Sequence, residues 1–363
     1  MAQYRAAVIG CGRISRMHFR AYQEAGIPVV AAADISQEAL EGAKAQYGVE
    51  RTYTDYTRML DEVGPELVSI CTHDALHCPM TVAAAEHGVK GIVCEKPMAM
   101  DLDEADRMLA ACRASGSVLT VSHQRYYSPQ YAAARRLIEE GAIGALLGGE
   151  TMAHSACIQT DGTHTIHMLL TLLGWPRVRY LLAQVDSQWG VEYFGYPREG
   201  GGIAFLHFEQ GLHGHMTWGF AERGAERADD VRLHPKWNFT DYLYHAFTIR
   251  GTEGHVELSG DIRGEELPPG RSYLRLVRDG KAEEVPFQWP PVPGPVTLEV
   301  QDLIESIEQG TPHPLRGETG RDVLEVVIGI YESARRRAVR KFPIEVHGNP
   351  LQEMIAAGTF AGT

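Results

Sequence analysis

Between Tyr4 and Ser122 the chain alternates short, almost wholly apolar runs with longer stretches of helical periodicity. The apolar runs, at 6–9, 29–33, 67–71, 92–94 and 118–122, read as strands. Helices are expected at 14–25, 37–47, 78–87 and 102–114. A strand apolar on both sides must be covered on both sides, and parallel strands joined by crossover helices provide that cover. The alternation therefore predicts a doubly wound parallel sheet, a fold of the α/β class.

The first strand runs into Gly10-Cys11-Gly12-Arg13-Ile14-Ser15 and then a helix, the setting of a dinucleotide-binding turn. Gly10 makes the tight turn, Gly12 lets a pyrophosphate approach the backbone, and Ile14 opens the helix whose N–H groups face the phosphates. A lone Gly-x-Gly is weak evidence, but Asp34 stands at the end of the next strand. From there a carboxylate can hold the ribose 2′-hydroxyl of NAD and repel the 2′-phosphate of NADP. NAD is the expected cofactor; NADP stays open because Arg13 could meet a phosphate.

The strand at 92–94 ends in Glu95-Lys96-Pro97. Open α/β sheets bind ligands at the carboxyl ends of their strands. A lysine there, in a chain with a dinucleotide turn, is placed for chemistry beside the reactive ring of the cofactor.

After Tyr126 the pattern changes to helices at 131–140 and 163–173 and longer alternating strands at 178–184, 203–209, 213–220, 247–250 and 255–258. This half is expected to be α+β, with an open, mainly antiparallel sheet and helices on one side. Two closing helices are expected at 296–309 and 320–337. A formal charge of -13 and the lack of any basic patch beyond Arg335-Arg336-Arg337 argue against a nucleic-acid partner. No apolar run reaches membrane-spanning length, no room is left for a signal peptide, and the six cysteines are scattered without metal or disulfide spacing. A cytoplasmic chain with no membrane partner is expected.

The glycine turn, Asp34 and Glu95-Lys96-Pro97 occur together with Tyr47-Gly48-Val49, Asp55-Tyr56, the strand 67–71 with Thr72 and His77, and Gly251-Thr252-Glu253-Gly254. In these the chain resembles the glucose-fructose oxidoreductase / inositol dehydrogenase / MocA family along nearly its whole length. The resemblance implies a Rossmann domain over 1–125, a substrate-binding and oligomerisation domain over 126–345 and a tail over 346–363. It also implies a homo-oligomer, dimer or tetramer, formed through the second domain's sheet. Its members use NAD(H) or NADP(H) to oxidise or reduce a sugar, a cyclitol or a derivative.

Carried onto this sequence, Lys96 is catalytic and Glu95 fixes the strand end, while Thr72, His73 and His77 line the cofactor. His73-Asp74 stand where the family usually has Pro-Asn. Gln124 is expected at the nicotinamide carboxamide, with Arg125 and Tyr126 at the substrate; an ordinary crossover ion pair suits Arg125 equally.

The family's second signature, Asp-x-Gly-x-His-x-x-Asp, reads here Thr160-Asp161-Gly162-Thr163-His164-Thr165-Ile166-His167. His164 is retained and is the expected acid/base, since an imidazole titrates near neutral pH. Thr160, Asp161 and His167 are expected at the substrate, with a packed core histidine as the other reading of His167. Adding His154 would give a metal-like set, but the second acidic ligand is missing and the family's common chemistry needs no metal, so none is expected. Lys236 and Trp237 suit a sugar-specificity loop, and Trp189, Tyr193 and Phe194 follow at lower rank.

The expected function is NAD-dependent oxidation or reduction of a secondary hydroxyl on a sugar, glycoside or cyclitol. Two alternatives stand beside it: glycoside cleavage by oxidation, elimination and reduction with NAD recycled, and a sugar-sensing regulator without catalysis.

Overall fold

The computed structural model describes residues 4–153, 157–186, 191–193, 195–219, 245–260, 272–289 and 293–360. Its chain forms two compact units, Met1–Tyr127 with Pro290–Leu324, and Ser128–Trp289 with Glu325–Thr363.

In the first unit the strands are β1 (Ala6–Ile9), β2 (Val29–Ala33), β3 (Arg51–Tyr53), β4 (Leu67–Ile70), β5 (Gly91–Cys94) and β6 (Val118–Val121). The helices between them are α1 (Ser15–Glu24), α2 (Gln37–Tyr47), α3 (Tyr56–Val63), α4 (His77–Glu86) and α5 (Leu102–Ser115). The sheet runs β3-β2-β1-β4-β5-β6 with every pairing parallel. This is the doubly wound order, and it reverses direction between β1 and β4, where such folds bind their ligands. The all-apolar β1 and β5 are buried throughout, as their composition requires.

Two elements of this unit had no counterpart in the sequence reading. β3 is three polar-leaning residues that pair only with β2 at the sheet edge. α3 is short but well bounded: Asp55 Oδ1 accepts from Thr57 N at 2.8 Å and Arg58 N at 3.3 Å, and Gly64 ends it in the left-handed conformation.

The second unit contains α6 (Pro129–Glu139), β7 (Leu146–Ala153), α7 (Gly162–Leu172), β8 (Val178–Asp186), β9 (Val191–Tyr193), β10 (Tyr196–Arg198), β11 (Gly201–Phe208) and β12 (His213–Gly219). It continues with β13 (His245–Gly251), β14 (Gly254–Ser259), β15 (Leu274–Arg278) and β16 (Lys281–Glu284). α8 (Pro295–Gln309), α9 (Gly317–Arg336), β17 (Arg340–Lys341) and α10 (Pro350–Ala356) complete the described chain.

The large sheet runs β16-β15-β14-β13-β7-β12-β11-β8-β17, antiparallel except for the β7–β12 pair. β7 lies near its middle yet escaped the sequence reading. Its Gly148-Gly149 pair interrupts the apolar alternation for a packing reason. A Cβ on Gly149 would come within 2.8 Å of Leu169 on α7 and 2.9 Å of Ile249 on β13. The opposite face carries exposed Tyr180, Leu182, Ile203 and Phe205.

α8 belongs to the first unit. Val296, Val300 and Leu303 join one core with Val8, Phe19 and Tyr22, and Glu24 Oε2 accepts from Thr297 Oγ1 at 2.6 Å and Gly294 N at 3.1 Å. α10 falls in the expected tail over 346–363, and it is anchored. Asn349 caps it, accepting from Leu351 N at 3.0 Å, and Leu351 is fully buried.

Candidate active site

β1 ends at Gly10, whose positive φ of 88° suits glycine, and a Cβ there would meet the Cys71 carbonyl oxygen at 2.7 Å. Gly12 has nothing within 4 Å of the place a Cβ would take. One glycine is thus required by the protein's own backbone, and the other leaves space above the turn. α1 begins there with no side-chain cap and no acidic residue in its first turn, so its N-terminal N–H groups and positive dipole end suit phosphates.

Asp34 closes the turn from β2. Its Oδ2 accepts from Cys11 N at 2.7 Å and its Oδ1 from Ser36 N at 2.8 Å. Each carboxylate oxygen can accept a second hydrogen bond, so a ribose hydroxyl could still be held. Gln124, in a short turn after β6, has a buried Oε1 with no hydrogen-bond partner among the described residues. An orphaned amide oxygen fits the amino group of a carboxamide. Together the open glycine, the uncapped helix, the carboxylate and the orphaned amide fit a nicotinamide dinucleotide. Arg13 is exposed on the same turn.

At the end of β5, Glu95 is buried and Lys96 half-buried, and the Lys96–Pro97 peptide is cis. His77 braces this corner: Nδ1 lies 2.7 Å from Pro97 O and Nε2 3.1 Å from Thr72 O. Burial holds the His77 imidazole below its usual pKa. Thr72 Oγ1 contacts Met80 Sδ at 3.4 Å, and half-buried His73 precedes a turn of 3₁₀ helix. Thr72, His77, Glu95, Lys96 and Pro97 thus converge on one end of the sheet. Arg125 is buried and Tyr126 half-buried beyond β6.

Sequence reasoning missed His18. It is fully buried on α1 with Nε2 3.0 Å from Glu95 Oε1 and Nδ1 3.1 Å from Ser69 Oγ. Its position on the buried side of α1 was legible, but its partners lie 51 and 77 residues away.

In the second unit, α7 carries His164 and His167, both buried. Thr160 lies in the turn before α7 rather than on it, so the helical spacing that groups His164 with His167 does not extend to Thr160. His167 packs edge-on against Trp175, with ring centroids 5.2 Å apart, and burial pushes its pKa down to about 3, with Arg135 adding to the effect. It is a neutral histidine at any physiological pH. Asp161 Oδ2 lies 3.0 Å from Nε2 of buried His245, whose Nδ1 is 2.7 Å from Thr165 Oγ1. His245 is a second histidine that the sequence did not single out, since only the fold brings β13 to α7. Among the described residues, no group of three or more His, Cys, Asp or Glu side chains is placed to hold a metal.

His154, Trp189, Phe194, Lys236 and Trp237 lie outside the described residues, and Tyr193 is described only as part of β9.

Comparison with known proteins decides the family. Residues 4–123 match the model of an oxidoreductase family with an NAD-binding Rossmann fold, and residues 157–344 match that family's C-terminal alpha/beta domain. The chain belongs to the glucose-fructose oxidoreductase / inositol dehydrogenase / MocA family. The first unit is accordingly an NAD-binding Rossmann domain, and the protein is an oxidoreductase of this family. D-apiose dehydrogenase of Paraburkholderia graminis is 36% identical, over 92% of this chain and 88% of that protein. Levoglucosan dehydrogenase of Pseudarthrobacter phenanthrenivorans is 31% identical, over 93% and 98%. A solved levoglucosan dehydrogenase in complex with NADH and levoglucosan has the same fold, with a TM-score of 0.75 at 21% identity over 94% of this chain and all of that one. No helix among the described residues is long and apolar enough to cross a membrane.

Proposed function

We propose that this oxidoreductase oxidises a secondary hydroxyl of a sugar, glycoside or cyclitol, or reduces the matching ketone. The observation that carries the reading is Lys96, half-buried where β5 ends in the unit that holds the dinucleotide turn. Two relatives that align along nearly the whole chain are named as sugar dehydrogenases, which supports the substrate class.

NAD, when bound, supplies the hydride acceptor. Gly10, Gly12 and the start of α1 would hold its pyrophosphate, Asp34 a ribose hydroxyl, and Gln124 the carboxamide. Thr72, His73 and His77 would complete the lining. The Lys96 ammonium stabilises the oxygen of the reacting carbinol as it becomes an alkoxide. His164 takes the hydroxyl proton and returns it in the reverse direction. Arg125, Tyr126, Thr160 and Asp161 are assigned to substrate positioning. His167, neutral and packed on Trp175, is assigned to shaping α7 instead.

The test is a panel of D-apiose, levoglucosan, inositols and simple glycosides with NAD or NADP, read by absorbance and product chromatography. NADH formation with at least one member, faster than with NADP, is expected. Glycoside cleavage with catalytic NAD and no accumulated NADH would replace this reading with the NAD-recycling one. Sugar binding without any turnover would replace it with a regulator.

Self-association is part of the same proposal. Tyr180, Leu182, Ile203 and Phe205 lie 41%, 45%, 46% and 54% exposed on neighbouring strands β8 and β11, an apolar area suited to a second copy. Phe205→Glu should lower the mass measured by light scattering; a monomeric wild type would end the idea.

A further inference from the structure

We propose that His18 is a positioning residue for Lys96, acting through Glu95. The inference rests on the reading of Lys96 as the catalytic cation. His18 lies one turn into α1, the helix that opens at the dinucleotide turn, and its side chain is fully buried. Its Nε2 reaches Glu95 Oε1 at 3.0 Å, and the other carboxylate oxygen, Oε2, accepts the Lys96 backbone N–H at 3.1 Å. The imidazole is itself held in place, with Nδ1 3.1 Å from Ser69 Oγ on β4. Tyr22, one turn further along α1, closes the set with its hydroxyl 2.8 Å from the same Ser69 Oγ. A continuous line of hydrogen bonds therefore joins the phosphate-binding helix to the backbone of the lysine.

The physical reason for the histidine is the carboxylate. A buried carboxylate without a partner is costly and takes up a proton instead. Burial works against the charge on Glu95, yet the hydrogen bond from His18 and the nearby charges of His18 and Lys96 bring its pKa below the usual value. Burial likewise opposes the charge on His18, but its pKa is raised well above the ordinary one. Cys71 and Glu95 are its raising neighbours, and Cys71, whose thiol burial pushes up, is uncharged at neutral pH. Of these two neighbours only Glu95 carries a negative charge at neutral pH, and it is the anion that His18 Nε2 faces. A second carboxyl, Glu299 on α8, senses the pair, but burial chiefly raises it to about 7. Glu95 is therefore the stronger acid of the two, and His18 the cation that keeps it ionised and turned toward Lys96.

The test is a cycle of His18→Gln, Glu95→Gln and the double variant in the full-length enzyme with NAD and a sugar from the panel above. Each single variant should lower kcat about tenfold, with KM for NAD within about threefold of wild type, and the double should be no worse than the poorer single. A substrate-free arm measures acetylation of the six lysines of the chain by N-hydroxysuccinimidyl acetate, using peptide mass mapping. Lys96 should react about threefold faster in both single variants, with Lys44 and Lys90 unchanged. Losses in kcat that simply multiply, or unaltered kcat and Lys96 reactivity in His18→Gln, would overturn the positioning role. Lys96→Met is assayed alongside: if it keeps full turnover, the catalytic reading fails, whereas an inactive Lys96→Met with an unaffected His18→Gln sinks only the inference.

Discussion

Each unit backs its candidate residues with a cluster of buried polar side chains, and the two clusters are built on opposite terms. In the first, His18 and Glu95 meet as an ion pair, and the carboxylate pKa falls despite complete burial. In the second, Glu199 is buried before β11 and accepts from Ile158 N at 2.5 Å, Tyr331 Oη at 2.8 Å and Trp218 Nε1 at 3.2 Å. Its hydrogen-bond donors are neutral, and burial outweighs them and the nearby Arg198 charge and raises its pKa. Beside it, Gln159 Oε1 accepts from Arg198 and Asn349, both at 3.0 Å. Ile158 and Gln159 lead into Thr160 and α7, so this second cluster fixes the backbone that starts the His164 helix. The contrast teaches that the first cluster aims a charge and the second holds a turn. Changes in the first should cost activity more than stability, and changes in the second the reverse.

The largest expected effect is on Lys96. Lys96→Met should lower kcat by about a thousandfold or more, roughly 4 kcal/mol of transition-state stabilisation. NADH affinity, read by fluorescence titration, should stay within about threefold, because the pyrophosphate and ribose are proposed to be held by other residues. His164→Gln comes next, with kcat lowered about a hundredfold and the dependence of kcat on pH flattened on its acid side. An unchanged pH profile would assign the acid/base to another group and bring His245 with Asp161 to the front.

Stability should respond in the second unit. Glu199→Ala strands a buried N–H, a hydroxyl and an indole N–H together, which costs on the order of 3 kcal/mol or more. Glu199→Gln keeps an acceptor oxygen and should lose roughly half as much. Urea midpoints at fixed ionic strength check both. Equal losses would mean that volume rather than hydrogen bonding sets the cost, and the proposed contrast between the clusters would lose one side.

The same contrast explains what the sequence could reveal. Apart from the polar edge strand β3, the Rossmann strands are short and apolar, so β1, β2 and α2 coincide with their expected bounds. Lys96 and Asp34 were legible because strand ends are local features. β7 was not, because its glycines make sense only against Leu169 and Ile249. The turn that carries Thr160 has no periodic marker, since it is held by Glu199, which is 41 residues distant from Ile158. His18, Glu199 and His245 share this obstacle: each is identified by a partner far along the chain.

Glu299 gives the effect with the sharpest sign. Its Oε1 accepts from Thr120 Oγ1 at 3.1 Å and its Oε2 from Ser122 Oγ at 2.8 Å, both on or just beyond β6. Burial chiefly, with nearby Glu95, raises its pKa from 4.5 to about 7, against the opposing pulls of Ser122, His18 and Thr120. The folded state therefore binds a proton more tightly than the unfolded chain. The stabilisation from that proton is complete below pH 4.5 and is lost as the pH rises through about 7. Over that window it amounts to roughly 3 kcal/mol. Gln at this position is neutral at every pH and can still pair with both hydroxyls. Glu299→Gln should match wild type near pH 4.5 in urea unfolding and exceed it by about 3 kcal/mol at pH 8. A difference that stays constant across this range would show that Glu299 does not gain a proton on folding. Glu95 would then share its buried corner with a second full anion, and His18 would have two carboxylates to satisfy rather than one.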